Sequence, residues 1–450
     1  MWRRAIIAWF VAAALVAVGA ALRGGAPPSA GSAAPGSAGQ PVVAEGRLPV
    51  DRVDGVTVTR GGHTLQFRRE GDGWWQVAPW RQPAEAAALR DVLLRLADLR
   101  ATRRVDGGGA ELGLDPPEAQ LEVTWPDGRV AVALGRRSVG GRAWARGPDG
   151  AAWSVDPALH DAILDADLRE WRSWRLFEGA GVEGRRVEIL RTPLESSRPP
   201  SRLVLERRDG RWSMIEPART RVDAKALEAV VTALARVRHS GFVDESPADL
   251  ALYGLARPIA AVAISGGTPA VEERVEIGSA VAEGGMACGR RTDRPPVFLL
   301  DAAALQALLP PPAAFVEPTG CGVAPADVER LRIVPASGSG APWTLRRTLD
   351  GWLVAAEGAA ESPASGPAVE SLLARLCTAR AGEIALQAPP KELLLATVEV
   401  WPIGASRPVT LRVAREGPGG KWAIDESDDV LRVFPPSFGL ELDPGRYRVP

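Results

Sequence analysis

Three histidines, His63, His160 and His239, are the only imidazoles in the chain. Shared metal ligation or a proton relay needs at least two of them brought together, and no H-E-x-x-H or comparable spacing does so. Each is expected in an ordinary structural role. A serine–histidine–aspartate site is not expected either, because no G-x-S-x-G elbow is present to expose a nucleophile. Cys288, Cys321 and Cys377 are far apart and form no C-x-x-C, so zinc-ribbon and redox-dithiol chemistry lack support. Three buried free thiols are the expectation. One disulfide plus a free thiol is the alternative in an exported chain, and spacing does not say which two would pair.

A glycosidase needs two carboxylates at a set separation. Asp161, Asp165 and Asp167, or Asp425, Glu426, Asp428 and Asp429, could supply such a pair or hold a cation. The first group shares a helical stretch with Leu159, Ile163, Leu164 and Leu168 and reads as its wet face, whereas Asp428-Asp429 reads as a hairpin turn. Gly107-Gly108-Gly109 and Gly284-Gly285 match neither phosphate-binding glycine motif, so nucleotide-driven work is not expected. Fifteen tryptophans are the unusual feature of the composition. Exposed, they stack on sugars or anchor partners; buried, each stabilises by about 1.5–3 kcal/mol. Most recur at repeating positions that suit burial. Trp171 and Trp174 fall outside those positions and are the candidate contacts for a partner or a glycan. No catalytic, cofactor-binding or metal-ligating residue is expected.

Positioning begins with the N-terminus. Arg3 and Arg4 precede an uncharged run, Ala5 to Leu22, that ends at Arg23. The run exceeds the roughly 7–15 residues of a signal-peptide core and reaches the lower limit of about 17 for a membrane-spanning helix. Residues 1–23 are therefore expected to be a transmembrane anchor, with cleavage near Val18-Gly19-Ala20 as the alternative. Arg3 and Arg4, on the cytoplasmic side, place the bulk of the chain outside the cytoplasm, in the periplasm, although Arg23 opposes that orientation. Residues 24–48, rich in Gly, Ala, Ser and Pro, read as a flexible tether. A net charge of −1, from 54 basic and 55 acidic residues, gives no field for nucleic acid.

An internal repeat organises the remainder. Leu89, Val92, Leu93, Leu96 and Leu99 fall on one helical face; Leu227, Val230, Val231, Leu234 and Val237 repeat their spacing, and so do Val369, Leu372, Leu373, Leu376 and Ala379. A tryptophan strand precedes each helix, with Trp75, Trp212 and Trp352 taken as counterparts. Strands follow, among them those ending Leu134-Gly135 and Ile277-Gly278. A period of about 140 residues implies tandem domains, since solenoid repeats run about 20–50. The expected fold is α+β: three tandem repeats at 49–177, 178–319 and 320–450, each a mainly antiparallel sheet with one principal amphipathic helix packed on it, after the N-terminal transmembrane helix.

This organisation resembles the bacterial domain-of-unknown-function 4340 family. The matching residues are Trp75, Gly113-Leu114-Asp115-Pro116, Leu134-Gly135 and Trp144-Ala145-Arg146, then Tyr253-Gly254-Leu255 and Ile277-Gly278, over about residues 50–310. The third repeat lacks the Gly-Leu-x-x-Pro signature. The resemblance implies a membrane-anchored envelope protein of unassigned activity, often linked to gliding-motility-type ABC transporter components. The expected function is non-enzymatic: interaction with envelope or membrane proteins, ABC transporter components among them, with no cofactor. A cell-wall glycan-binding module using exposed tryptophan and a hydrolase with an unrecognised carboxylate pair are the alternatives.

Overall fold

The computed structural model describes residues 40–43, 48–106, 109–138, 140–178, 184–195, 199–266, 271–281, 285–336 and 340–449, in two compact units, Met1–Ser173 and Trp174–Pro450. The first unit holds one antiparallel sheet. Its strands run, edge to edge, Gln82–Pro83, Gly73–Ala78, His63–Glu70, Gly55–Arg60, Ala119–Trp125, Gly128–Arg137, Ala143–Arg146, Ala152–Val155, Arg100–Arg104 and Gln40–Pro41. The second unit holds two more, each of nine strands. One runs Thr220–Arg221, Arg211–Glu216, Ser201–Arg208, Gly184–Arg191, Ala260–Gly266, Val271–Val281, Ala287–Arg291, Val297–Leu300, Gly241–Asp244. The other runs Ser362–Ala364, Gly351–Ala356, Trp343–Thr348, Val328–Pro335, Leu394–Pro402, Val409–Arg415, Trp422–Asp425, Leu431–Phe434, Glu383–Ala385. Apart from the outermost Gln40–Pro41, the three orders are identical.

That order explains the helix. In every repeat the chain leaves the strand at one edge and re-enters at the opposite edge, so the connecting segment must cross the sheet face. The helices α1 (Ala86–Ala97), α2 (Ala224–Arg236) and α3 (Gly366–Cys377) make this crossing. A crossing helix covers its sheet only with one apolar stripe, and the stripe is as the 3.6-residue period predicts: Leu89, Val92, Leu93 and Leu96 are buried in α1, and Val369, Leu372, Leu373 and Leu376 in α3.

The expected anchor, 1–23, lies outside the described residues. Among the described residues no helix is long and apolar enough to cross a membrane. The end of the expected tether is corrected: Gln40 and Pro41 pair with Ala101 and Arg100, and Val43 enters the first core. Val42-Val43 supplies the apolar surface that the preceding Gly, Ala and Ser lack.

Two sequence landmarks change meaning. The counterpart of Trp212 is Trp74, not Trp75. Trp74, Trp212 and Trp352 each face an arginine on the neighbouring strand, Arg69, Arg207 and Arg347, and each packs on its own core. Trp75 points to the other side of the pleat, where the Arg81 guanidinium lies 4.2 Å from its ring.

Trp171 is likewise a repeat position rather than an exception. Each repeat ends in a one-turn 3-10 helix, Leu168–Trp171, Pro312–Phe315 and Pro444–Tyr447, whose last residue is aromatic. The carbonyls of Trp171, Phe315 and Tyr447 accept the backbone N–H of the helix N-cap residues Glu85, Asp223 and Ser365, at 2.8, 2.9 and 2.8 Å. These aromatics are 4%, 0% and 2% exposed. They close the core where the helix enters, so Trp171 offers no face to a ligand.

The Gly-Leu turns are fastened by a second glycine. Gly113 and Gly254 adopt φ of 69° and 67°, left-handed values that suit glycine, and place Leu114 and Leu255 in buried positions. Their turns press on the strands at Gly135 and Gly278, where a Cβ would overlap the carbonyl oxygens of Leu112 and Tyr253. Gly135→Ala and Gly278→Ala are each expected to lower the unfolding free energy by about 1–3 kcal/mol, as overpacked sites do. Urea midpoints measure this, and an unchanged midpoint would refute the close approach.

Candidate functional site

The copies differ most around α2, and there a groove of about 1170 Å³ opens within the second unit. Edge-strand cover is its first cause. In the first repeat the edge strand has only two residues, but there the Ala84 N–H continues the pairing to the Trp74 carbonyl at 2.8 Å. In the third repeat the short edge strand pairs with Trp352, Leu353 and Val354. In the second repeat Thr220–Arg221 pairs only with Met214 and Ser213, leaving Arg211 and Trp212 beyond its end. Side-chain size at one helix position is the second cause, since Val231 stands where α1 has Leu93 and α3 has Leu373. Val230 and Val231 of α2 are half-buried, whereas Val92 and Leu93 of α1 and Leu372 and Leu373 of α3 are buried. Trp212, Met214, Leu227 and Val231 form the apolar floor, and Arg207, Arg211 and Arg219 line the rim.

The opposite wall comes from the third repeat and the linker, through Glu317, Glu426 and Asp428. Arg221 donates from Nε to Glu426 at 2.6 Å and from Nη2 to the Thr319 carbonyl at 3.1 Å. Thr220 donates its hydroxyl to Asp428 at 2.5 Å. Behind them stands Arg432, 0% exposed, which donates to both Asp428 oxygens at 3.2 and 3.0 Å. It also donates to Thr220 Oγ1 at 2.9 Å and to the carbonyls of Glu317 and Val430 at 2.9 and 3.3 Å. Burial pushes the Asp428 carboxyl up, but the bonds from Arg432 outweigh it and hold the group below the usual carboxylate range. Asp425, buried behind the wall and bonded to Asp428, is pushed up to about 6 by burial and then by that neighbour, against its ion pair with Arg412.

Asp428-Asp429 lies in the turn between Trp422–Asp425 and Leu431–Phe434, as expected for a hairpin. Asp161 and Asp165 bind Arg137 on the first unit's surface. Among the described residues no group of three or more His, Cys, Asp or Glu side chains is arranged to hold a metal ion. His63 is exposed at a strand start. His160 is buried, donates from Nε2 to the Trp144 carbonyl at 2.9 Å, and is lowered in pKa chiefly by burial. Trp174, half-buried, stacks on the buried His239 with ring centroids 5.2 Å apart. Its carbonyl accepts the His239 N–H at 3.0 Å, so it too serves the joint between linker and helix.

A second charged cluster lies under the start of the second unit. The carboxylate of Glu273 accepts the Glu178 N–H and pairs with Arg291 at 3.0 Å; Arg291 also forks onto Asp293 at 2.8 and 2.8 Å, and Arg294 reaches Glu178 at 3.4 Å. Burial pushes the Glu178 carboxyl up to about 7, against the attraction of Arg294 and Arg291.

Sequence reasoning did not single out Thr220, Arg221 or Arg432. One signal was available: Arg432 interrupts the apolar run Val430-Leu431-Arg432-Val433-Phe434, and an arginine inside a buried strand requires a buried partner.

A family model described as "Domain of unknown function (DUF4340)" matches residues 74–242 and again residues 212–397. The two matches start on Trp74 and Trp212, the pair aligned by strand register. The second runs through α3 of the third repeat to the strand Leu394–Pro402, past the limit expected near residue 310. No curated protein and no solved structure matches the chain. With the two matches to one family model together spanning residues 74–397, more than half of the chain, the chain belongs to the DUF4340 family.

Proposed function

We propose that this chain is a membrane-anchored, extracytoplasmic protein without enzymatic activity, whose groove at α2 binds a segment of another envelope protein, ABC transporter components among the partners. The groove carries the reading. It joins an apolar floor and a half-buried tryptophan to an arginine rim, the composition of a protein-binding hot spot. Glu426 and Asp428 on its far wall are already matched to Arg221 and Arg432, so they shape the wall and are poorly placed to move protons. The basic residues before the apolar run at 5–22 support the anchor and its orientation. Trp212 also supports a second reading, a glycan-binding module that stacks a sugar on the indole.

A photoreactive amino acid at position 211, introduced in the full chain in native membranes, tests the proposal. The expected result is a cross-linked protein adduct whose yield falls about tenfold in Trp212→Ala, as for an aromatic hot spot. No adduct, or an adduct indifferent to Trp212→Ala, overturns it. Retention on isolated wall polymer that is lost in Trp212→Ala would establish the glycan reading instead.

A further inference from the structure

We propose that Cys321 and Cys377 join as a disulfide whenever the chain folds in an oxidising medium, fastening the linker between the second and third repeats to the end of α3. Cys321 lies in that linker, and Cys377 is the last residue of α3. Backbone contacts hold the two segments side by side. Thr319 bridges Arg380, and the Ala381 N–H donates to the Pro318 carbonyl at 3.0 Å. Gly320 sits so close to the helix end that a Cβ there would come within 2.9 Å of the Leu376 carbonyl oxygen. Both cysteines are buried in the same core, and their thiols are close enough to perturb each other's ionisation.

The second repeat has the same joint without the chemistry. Arg175 bridges Arg238 there as Thr319 bridges Arg380, which puts Phe177 in the place of Cys321. Counting from the start of each helix puts Ala235 in the place of Cys377. An aromatic ring facing a methyl group is enough to fill this space. Two thiols in the same positions add a capacity that packing does not need, which is to form a bond. Cys288 belongs to a separate cluster with Leu255 and Val297 and has no part in it.

The reaction is thiol–disulfide exchange, with a small-molecule or protein disulfide as oxidant. Cys321, in the linker, attacks the oxidant as thiolate. It forms a mixed disulfide and releases one thiolate. Cys377 then loses its proton and attacks the Cys321 sulfur, closing the cross-link and expelling the second thiolate. Two electrons pass to the oxidant, which leaves as two thiols. Both cysteines are buried once the joint has closed, so the first exchange takes place while the linker is still open.

The bond itself rests on the contact alone, and its presence in cells rests on the extracytoplasmic placement proposed above. The full chain, denatured, reduced and refolded with oxidised and reduced glutathione, is to be alkylated, digested without reduction and read by mass spectrometry. A Cys321–Cys377 cross-linked peptide is expected, with a single alkylated cysteine, Cys288. The thermal midpoint should exceed that of the dithiothreitol-treated chain by about 5–10 °C, a difference absent in Cys321→Ser and kept in Cys288→Ser. Three free thiols after refolding, or cross-links through Cys288, overturn the proposal without recourse to any variant. Cells quenched in acid before alkylation separate the two readings: a bond that forms on refolding but is missing in cells leaves the cross-link standing and refutes the placement.

Discussion

Arg432→Leu is expected to destabilise the second unit by about 3–5 kcal/mol, the cost of stranding one member of a buried ion pair. The guanidinium is wholly buried and directs its donors at the Asp428 carboxylate, the Thr220 hydroxyl and the Glu317 and Val430 carbonyls. Those acceptors belong to the edge strand of the second repeat, the linker and a hairpin of the third, so one side chain ties three segments together. Leucine fills much of the volume but leaves the Asp428 charge, 10% exposed, without its counter-ion. The double variant Arg432→Leu, Asp428→Leu removes both charges and is expected to recover a large part of the loss, because a well-packed apolar pair in place of a buried ion pair is often neutral. Urea unfolding of the four members of this cycle gives the coupling directly. A single-variant cost below about 1 kcal/mol, within the range of an exposed ion pair, would overturn the assignment of Arg432 as a buried tie.

The three helices were legible because an amphipathic stripe is a local pattern: Leu89 to Leu99 specifies its own face with a period near 3.6. Strand order was not legible, since it is set by pairing between distant segments, as when Arg100–Arg104 joins Ala152–Val155. The closing aromatic escaped notice because only its burial and hydrogen bond recur; Trp171, Phe315 and Tyr447 share no residue type. Adjacent Trp74 and Trp75 were interchangeable in sequence, and only the pleat separates the core-facing ring from the one under Arg81. The groove had no motif to betray it. It arises where the edge-strand pairing stops short of Trp212 and where Val230 and Val231 are left half covered. Both are differences between copies, which a search for what the repeats share passes over.

The second unit should lose stability as pH rises from about 4.5 to about 7, and Glu178→Gln should abolish much of that loss. Three carboxylates, Glu178, Glu273 and Asp293, meet two guanidiniums, Arg291 and Arg294. Asp293 is half exposed and forked by Arg291, and Glu273 holds Arg291 from the other side. Glu178, 13% exposed and reached only at 3.4 Å by Arg294, is the carboxylate left least compensated. Its folded pKa of about 7 lies above the ordinary value of 4.5. Between those values the folded chain holds a proton that the unfolded chain has released, so unfolding becomes easier as pH rises, by about 3 kcal/mol over the whole window. Below about 4.5 both states are protonated and the group contributes no slope. Asp425 is raised in the same sense, and the comparison of variant with parent cancels its contribution. Unfolding free energies of the two chains at pH 5 and pH 8 supply the measurement. The glutamine variant should gain on the parent at the higher pH, and a difference that stays constant between the two conditions would show that Glu178 is ionised in the fold already at pH 5.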